Sequence, residues 1–196
     1  MNPVEASASS AEKILLAATD LFAANHFNGV SIKEIAKKSG VNSALISYYF
    51  GGKKNLYQEV LNEQSNLFLN LIARVSSKDI APLAKLREYI TAISEVQKLH
   101  PHRIHLIYRE LLTPTFMCDS FIKNRLYKIH KFMSELVTEA IADGSIHNNM
   151  QPTHVAFTLE SIIVFFFLFS LTEKWLLAKH KNELLRWMPR DRKSVV

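Results

Sequence analysis

Residues 41–57 read VNSALISYYFGGKKNLY, and the direction this stretch faces decides how the chain is organised. Three consecutive aromatics suggest core, yet the segment opens on small polar residues and closes on paired lysines. Asn42 can cap a short helix running to about Tyr49. On that helix Phe50 lies one turn from Ile46 and shares its side, whereas Ala44 and Tyr48 fall opposite. Ser47 and Leu45 flank the outer side, and Tyr49 leans inward with its hydroxyl reaching the rim. One face is therefore apolar and the other carries small, hydroxylic and amphipathic groups. That outer face suits a DNA major groove. Ser43, at the helix start, is placed to meet base edges. Serines can hydrogen-bond several bases, Leu45 can touch a thymine methyl, and Tyr48 and Tyr49 offer hydroxyls to phosphates. Gly51-Gly52-Lys53 then opens the next helix, whose unpaired N–H groups and positive dipole end make a phosphate seat. Lys53 adds a point charge there.

Upstream, Ser9-Ser10-Ala11-Glu12 is a capping-box pattern, and the helix after it places Ile14, Leu15, Ala18, Leu21 and Phe22 on one face. It should end near Asn25, with a turn at Asn28-Gly29. Ser31-Ile-Lys-Glu34 is a second capping box, and Ser39-Gly40 ends its short helix. A supporting helix followed by two short helices across a glycine turn is the helix-turn-helix pattern. Charge agrees with it. Residues 28–57 hold five lysines against one glutamate, a local excess of +4 within a chain of net charge +6. A basic island of this kind is what a phosphate-contacting surface needs. The C-terminal residues 173–196 carry seven Lys/Arg against three Asp/Glu, which reads as a solvated basic tail.

With these residues in place, the run ILLAATDLFAANHFNGVSIKEIAKKSGVNSALISYYFGGKKNLY resembles the DNA-binding domain of TetR-type transcriptional regulators. The matched positions include Leu21-Phe22, Phe27, Ser31, Ile35-Ala36, Gly40-Val41, Tyr48-Tyr49-Phe50, Lys53 and Leu56, and the likeness covers about residues 10–60. The resemblance implies base or groove contacts from Lys33, Ser43, Ala44, Leu45, Ser47 and Tyr48, with Asn42 at their edge. It implies phosphate contacts from Ser31, Tyr49 and Lys53. The family commonly has tyrosine where Ser47 stands, so a shorter contact and a different operator are expected. It usually has glycine where His26 stands, and a left-handed turn would suit histidine poorly.

The remaining two-thirds reads as helix throughout. A long helix follows Gly52, and further amphipathic helices are expected over 81–98, 102–113, 118–142, 152–171 and 173–187. The fold class expected is all-α, about nine helices. Its domains would be an N-terminal helix-turn-helix unit (1–52), a C-terminal bundle (53–190) and a basic tail (191–196). The run Ile162–Phe169 is apolar on nearly every side and must be buried, either inside its own bundle or against a second copy. It is shorter than the ~20 residues that cross a bilayer, and extending it meets Glu160. The resemblance, in which the last two helices build a four-helix dimer interface, favours the second copy, with Ile162, Phe165, Phe166, Phe169 and Trp175 at that interface. It also implies a small-molecule effector among the C-terminal helices, for which His105, Tyr108, Arg109, Tyr127 and His130 are candidates.

Other chemistry is poorly supported. His102 and His105 would need at least one further ligand to hold a metal, and nothing beside Cys118, the single cysteine, would lower its pKa. The sequence contains no G-x-x-x-x-G-K, G-x-S-x-G, C-x-x-C or H-E-x-x-H. No metal, cofactor or catalytic residue is expected, and no N-terminal secretory pattern is visible. A cytoplasmic, nucleoid-associated, dimeric DNA-binding regulator is the reading these features favour, most often a repressor in this family. The alternative is a helical protein-interaction module whose tyrosines bind a partner protein.

Overall fold

The computed structural model describes residues 9–116 and 118–184, with side chains described to Ser170 except at Cys118. The capping boxes set the first boundaries. The Ser9 hydroxyl accepts from Glu12 N–H while Glu12 accepts from Ser9 N–H at 2.7 Å, opening α1 (Ser10–Ala24). The Ser31–Glu34 pair repeats this at the start of α2 (Ile32–Ser39), which Gly40 ends at φ 69°. Asn42 Oδ1 accepts from Ala44 N–H at 2.9 Å and opens α3 (Ser43–Phe50). Between α1 and α2 runs a single 3-10 turn, Phe27–Gly29. His26 enters that turn with φ −67° and ψ 155°, an extended conformation that any residue adopts. The strain expected of a left-handed histidine does not arise.

α4 (Lys53–Ser76) is the spine, buried along Leu56, Tyr57, Val60, Leu61, Phe68, Leu71 and Val75. Its first turns close the core of α1–α3 around Ile14, Ala18, Phe22, Ile35 and Ile46. Its later turns join α5 (Pro82–Leu99), α6 (Pro101–Leu112), α7 (Cys118–Phe121) and α8 (Tyr127–Ala142), and α9 (Pro152–Leu184) completes the bundle on α8 and α5. Proline at the first position of α5, α6 and α9 fits the helix start, where its missing N–H leaves nothing unpaired. α7 and α8 run on through a π turn, Ile122–Leu126, instead of the uninterrupted helix expected over 118–142. Arg125 in that turn donates to Asn62 Oδ1 at 3.2 Å and Asn66 Oδ1 at 3.0 Å, which ties it to α4.

Two expectations are corrected at the C-terminal end. The helices expected over 152–171 and 173–187 are one continuous helix, α9, because the sequence between them offers no glycine or proline to break it. And Pro152–Ser170, with a mean hydropathy of 1.7, is long and apolar enough to pass as a membrane span by length and composition, though the apolar run itself is shorter. In the fold this helix lies against α8 and α5, with Ala156 and Phe167 buried. The side chain of Trp175 and the whole of residues 191–196 lie outside the described residues.

Candidate nucleic-acid interface and effector cavity

α3 exposes the face that its periodicity selects. Ile46 is fully buried beneath it and Phe50 half-buried, while Ser43, Ala44, Ser47, Tyr48 and Tyr49 are exposed and Leu45 is half-buried. Tyr48 is 79% exposed, far beyond what a core aromatic would show. Its ring meets Tyr49 edge-on at 5.0 Å, so the two phenols brace each other with their hydroxyl ends clear of the core.

The other candidates divide by how their groups are already used. Ser31 is engaged in its own capping box, donating from its hydroxyl to Glu34 Oε2 at 2.7 Å, and this bonding holds the Glu34 carboxyl below the usual carboxylate range. Asn42 likewise spends its carbonyl on Ala44 N–H. Lys33 is exposed on α2, beside the same surface. Lys53 is half-buried, its ammonium 4.1 Å from the centre of the Phe27 ring. Partial burial lowers its pKa, and the Glu34 carboxylate opposes the shift. The aromatic seat beneath it continues as Phe27–Tyr57 at 5.0 Å, Phe22–Tyr57 at 4.9 Å and Phe27–Phe116 at 5.0 Å. Lys54 stands 4.8 Å over Phe116.

The turn between α3 and α4 depends on glycine. Gly51 has φ 70° and Gly52 has φ 116°, both in the region that L side chains rarely adopt. Gly52 opens α4 with no side-chain cap, so the first-turn N–H groups point outward beside α3. Helix terminus, exposed phenols and lysines thus share one surface.

The effector candidates are spread over two cavities and one helix junction. Tyr108 lines a cavity of about 130 Å³ inside the bundle and accepts from Gln97 Nε2 at 2.8 Å; burial pushes its hydroxyl up to about 12. Tyr127 and His130 line an open groove of about 660 Å³ between the π turn, α8 and α9. Arg109 is used differently. Its guanidinium donates to the backbone carbonyls of Phe22 and Ala23, the last turn of α1. His105, one turn before it, has its pKa lowered by burial and by the neighbouring Arg109 and His102. Among the described residues no three His, Cys, Asp or Glu side chains cluster as a metal site.

Sequence reasoning missed two carboxylates. Glu110 is buried on α6, accepting from Tyr57 Oη at 2.7 Å and from Thr115 N–H at 2.9 Å. Glu160, met only as an interruption of an apolar run, pairs with His130 Nδ1 at 3.1 Å and lines both cavities. A carboxylate set in an apolar helical stripe was the available signal for each.

A helix-turn-helix unit with a bare, hydroxyl-bearing recognition helix, joined by one long helix to a larger helical bundle, defines a DNA-binding transcriptional regulator. The family model for bacterial regulatory proteins of the tetR family matches residues 14–60. The transcriptional regulator RutR of Escherichia coli K12 is 30% identical over 146 residues, covering 74% of this chain and 68% of its own length. The solved structure of HlyIIR, a hemolysin II transcriptional regulator, is 30% identical with a TM-score of 0.65, covering 87% of this chain and 93% of that one. AibR, solved with isovaleryl coenzyme A and operator DNA, has a TM-score of 0.69 at 22% identity, covering 95% and 91% of the two chains. The chain belongs to the tetR family of bacterial regulatory proteins.

Proposed function

We propose that the protein binds a pseudo-palindromic operator as a homodimer, acts as a repressor, and is modulated by a small molecule taken up by its C-terminal bundle. Residues 1–52 read DNA, residues 53–190 carry the effector and dimer contacts, and the protein does its work by binding, without a catalytic step or cofactor, in the cytoplasm where the chromosome lies. The observation that carries this reading is the outer face of α3, where Tyr48 is 79% exposed beside Ser43, Ala44 and Ser47 while Ile46 is fully buried. A solvent-facing phenol among small residues and lysines matches groove and phosphate contact.

The dimer is supported by one face of α9 on which Ile162, Phe165 and Phe166 are exposed, with Phe169 stacked on Phe165 beside them. Their i, i+3, i+4, i+7 spacing gathers them on one face, which a two-fold copy of the same helix can cover. The effector role is supported by the apolar cavity behind α6, together with the ligand and DNA that its structural neighbour AibR holds in its solved complex.

The test is selection of bound sites from random double-stranded DNA, followed by titration of the winning site across salt. Two similar half-sites related by a dyad, with affinity falling steeply as salt rises, are expected. Enrichment of no sequence, or binding indifferent to salt, would favour the protein-interaction module instead.

A further inference from the structure

The bundle cavity of about 130 Å³ is walled by hydrocarbon such as Phe68, Ile93 and Met133, and Glu160 is the one charged side chain on its lining among the described residues. That carboxylate is held on one side only. Its Oε2 lies 3.1 Å from His130 Nδ1, while Oε1 is shut off from solvent with no hydrogen-bond partner among the described groups. The Tyr89 hydroxyl is buried and unpartnered in the same way, and the Glu160 charge acts on it. A buried acceptor without a donor is rare in folded proteins.

We propose that the effector is a compact hydrocarbon molecule carrying an ammonium head, with the Glu160 carboxylate on the cavity lining as its counter-charge and His130 as the residue that holds that carboxylate. This inference rests on the ligand-responsive reading above and names the class of ligand. Size limits the body: an apolar cavity of ~150 Å³ accommodates benzene, so a ring of about six carbons fills this one. Chemistry selects the head. A plain hydrocarbon would leave Oε1 as orphaned as before. A carboxylate or phosphate would set a second negative charge beside it in a low-dielectric interior. An ammonium both donates to the carboxylate and neutralises its charge, which a hydroxyl cannot do. An ionised Glu160 accepts only, so His130 must present its Nδ1–H to Oε2, and the carboxylate keeps the capacity to accept from a second donor. Entry is provided for. Leu111, Leu126, Glu160 and Val164 line both the cavity and the outer groove, so the carboxylate stands at the doorway between them.

The experiment titrates the full-length protein with cyclohexylamine, cyclohexanol and cyclohexanecarboxylate by calorimetry, and follows operator affinity by fluorescence anisotropy in the same samples. The amine should bind more tightly than the alcohol, and the carboxylate should not bind. Glu160→Gln should weaken the amine about 10- to 100-fold, the range of a hydrogen bond to a charged group, and change the alcohol only a few-fold. Val164→Phe, which narrows the doorway without touching the carboxylate, should abolish binding of both, so a poorly folded Glu160 variant would not stall the test. No binding by the amine, equal binding of the carboxylate, or an amine affinity unchanged by Glu160→Gln would overturn the proposal. Glu160-dependent amine binding that leaves operator affinity unchanged would uphold the ligand class and sink the ligand-responsive reading. A carboxylate that releases DNA would do the reverse.

Discussion

Lys53 serves two surfaces at once. Its ammonium stands 4.1 Å over the Phe27 ring, which places charge at the start of α4 and also pins the 3-10 turn to the helix. A substitution to alanine would confuse the two, because the aromatic contact contributes ~0.5–1 kcal/mol of its own. Lys53→Met removes the charge, keeps an unbranched chain against Phe27, and offsets the lost ammonium–ring contact with a thioether–ring contact. Anisotropy titrations should then show weaker binding to specific and scrambled DNA alike, with a salt slope reduced by about 1. An unchanged slope would mean that the amide end of α4 holds the phosphate without this lysine. Ser47 should behave in the opposite manner. Being exposed and on the groove side, its replacement by alanine should relax base preference at one position per half-site by up to ~1–3 kcal/mol while leaving scrambled DNA unaffected; a uniform loss would place Ser47 on the phosphates instead. The exposure of Ser47 was readable from helical period alone, since Ile46 and Phe50 define the other side. The seat of Lys53 was not, because Phe27 is brought to it by the packing of α1 on α4 and by no local rule.

α6 is the element that joins cavity to DNA-binding unit. Ile107, Tyr108 and Leu111 face the bundle cavity, while Arg109 caps the carbonyl end of α1 and Glu110 holds Tyr57 of α4. Adjacent residues on one short helix therefore grip opposite halves of the molecule, and a ligand that moves Tyr108 moves Arg109 with it. A ligand does this only through different affinity for the two arrangements. Arg109→Ala should cost ~1.5–3 kcal/mol, read as a lowered melting temperature, since charged hydrogen bonds to the α1 carbonyls are lost. The sharper expectation concerns coupling: the variant should keep its ligand affinity yet lose most of the ligand's effect on operator binding. Undiminished release would show that α4 alone carries the signal. The sequence made the elements legible where local chemistry writes their ends. Ser9, Ser31 and Asn42 cap their helices as their side chains dictate, and Gly40 turns left-handed as expected. It did not show which of two polar neighbours on α6 faces a cavity and which faces α1, because that depends on partners far along the chain. Nor did it mark the π turn at Ile122–Leu126, where no proline or glycine announces the irregularity.

At the scale of the whole molecule, α9 is legible as apolar and illegible as to what covers it. An all-round apolar run can fill a bundle core, meet a second copy or, by length and composition, cross a membrane. The fold assigns one side of it. Phe167 and Ala156 turn inward, and Glu160 pairs with His130 of α8, so one side belongs to the bundle. The opposite side shows Phe165 at 69% and Phe166 at 62% exposure, with Phe165 stacked on Phe169 at 6.1 Å. An exposed apolar patch of this kind marks an association site. Two-fold pairing of this face would bring the two α3 helices to successive half-sites, making each binding event assist the other. Phe165→Asp combined with Ile162→Asp should therefore yield a monomer by sedimentation velocity, with its helical content kept because both side chains are exposed in one chain, and with a melting temperature that no longer depends on protein concentration. Operator affinity should fall by about 10²–10⁴, the advantage that linking two sites confers, while affinity for an isolated half-site stays the same. A variant that remains dimeric would move the interface off this face, and a monomer with undiminished operator affinity would show that one α3 suffices to read the site.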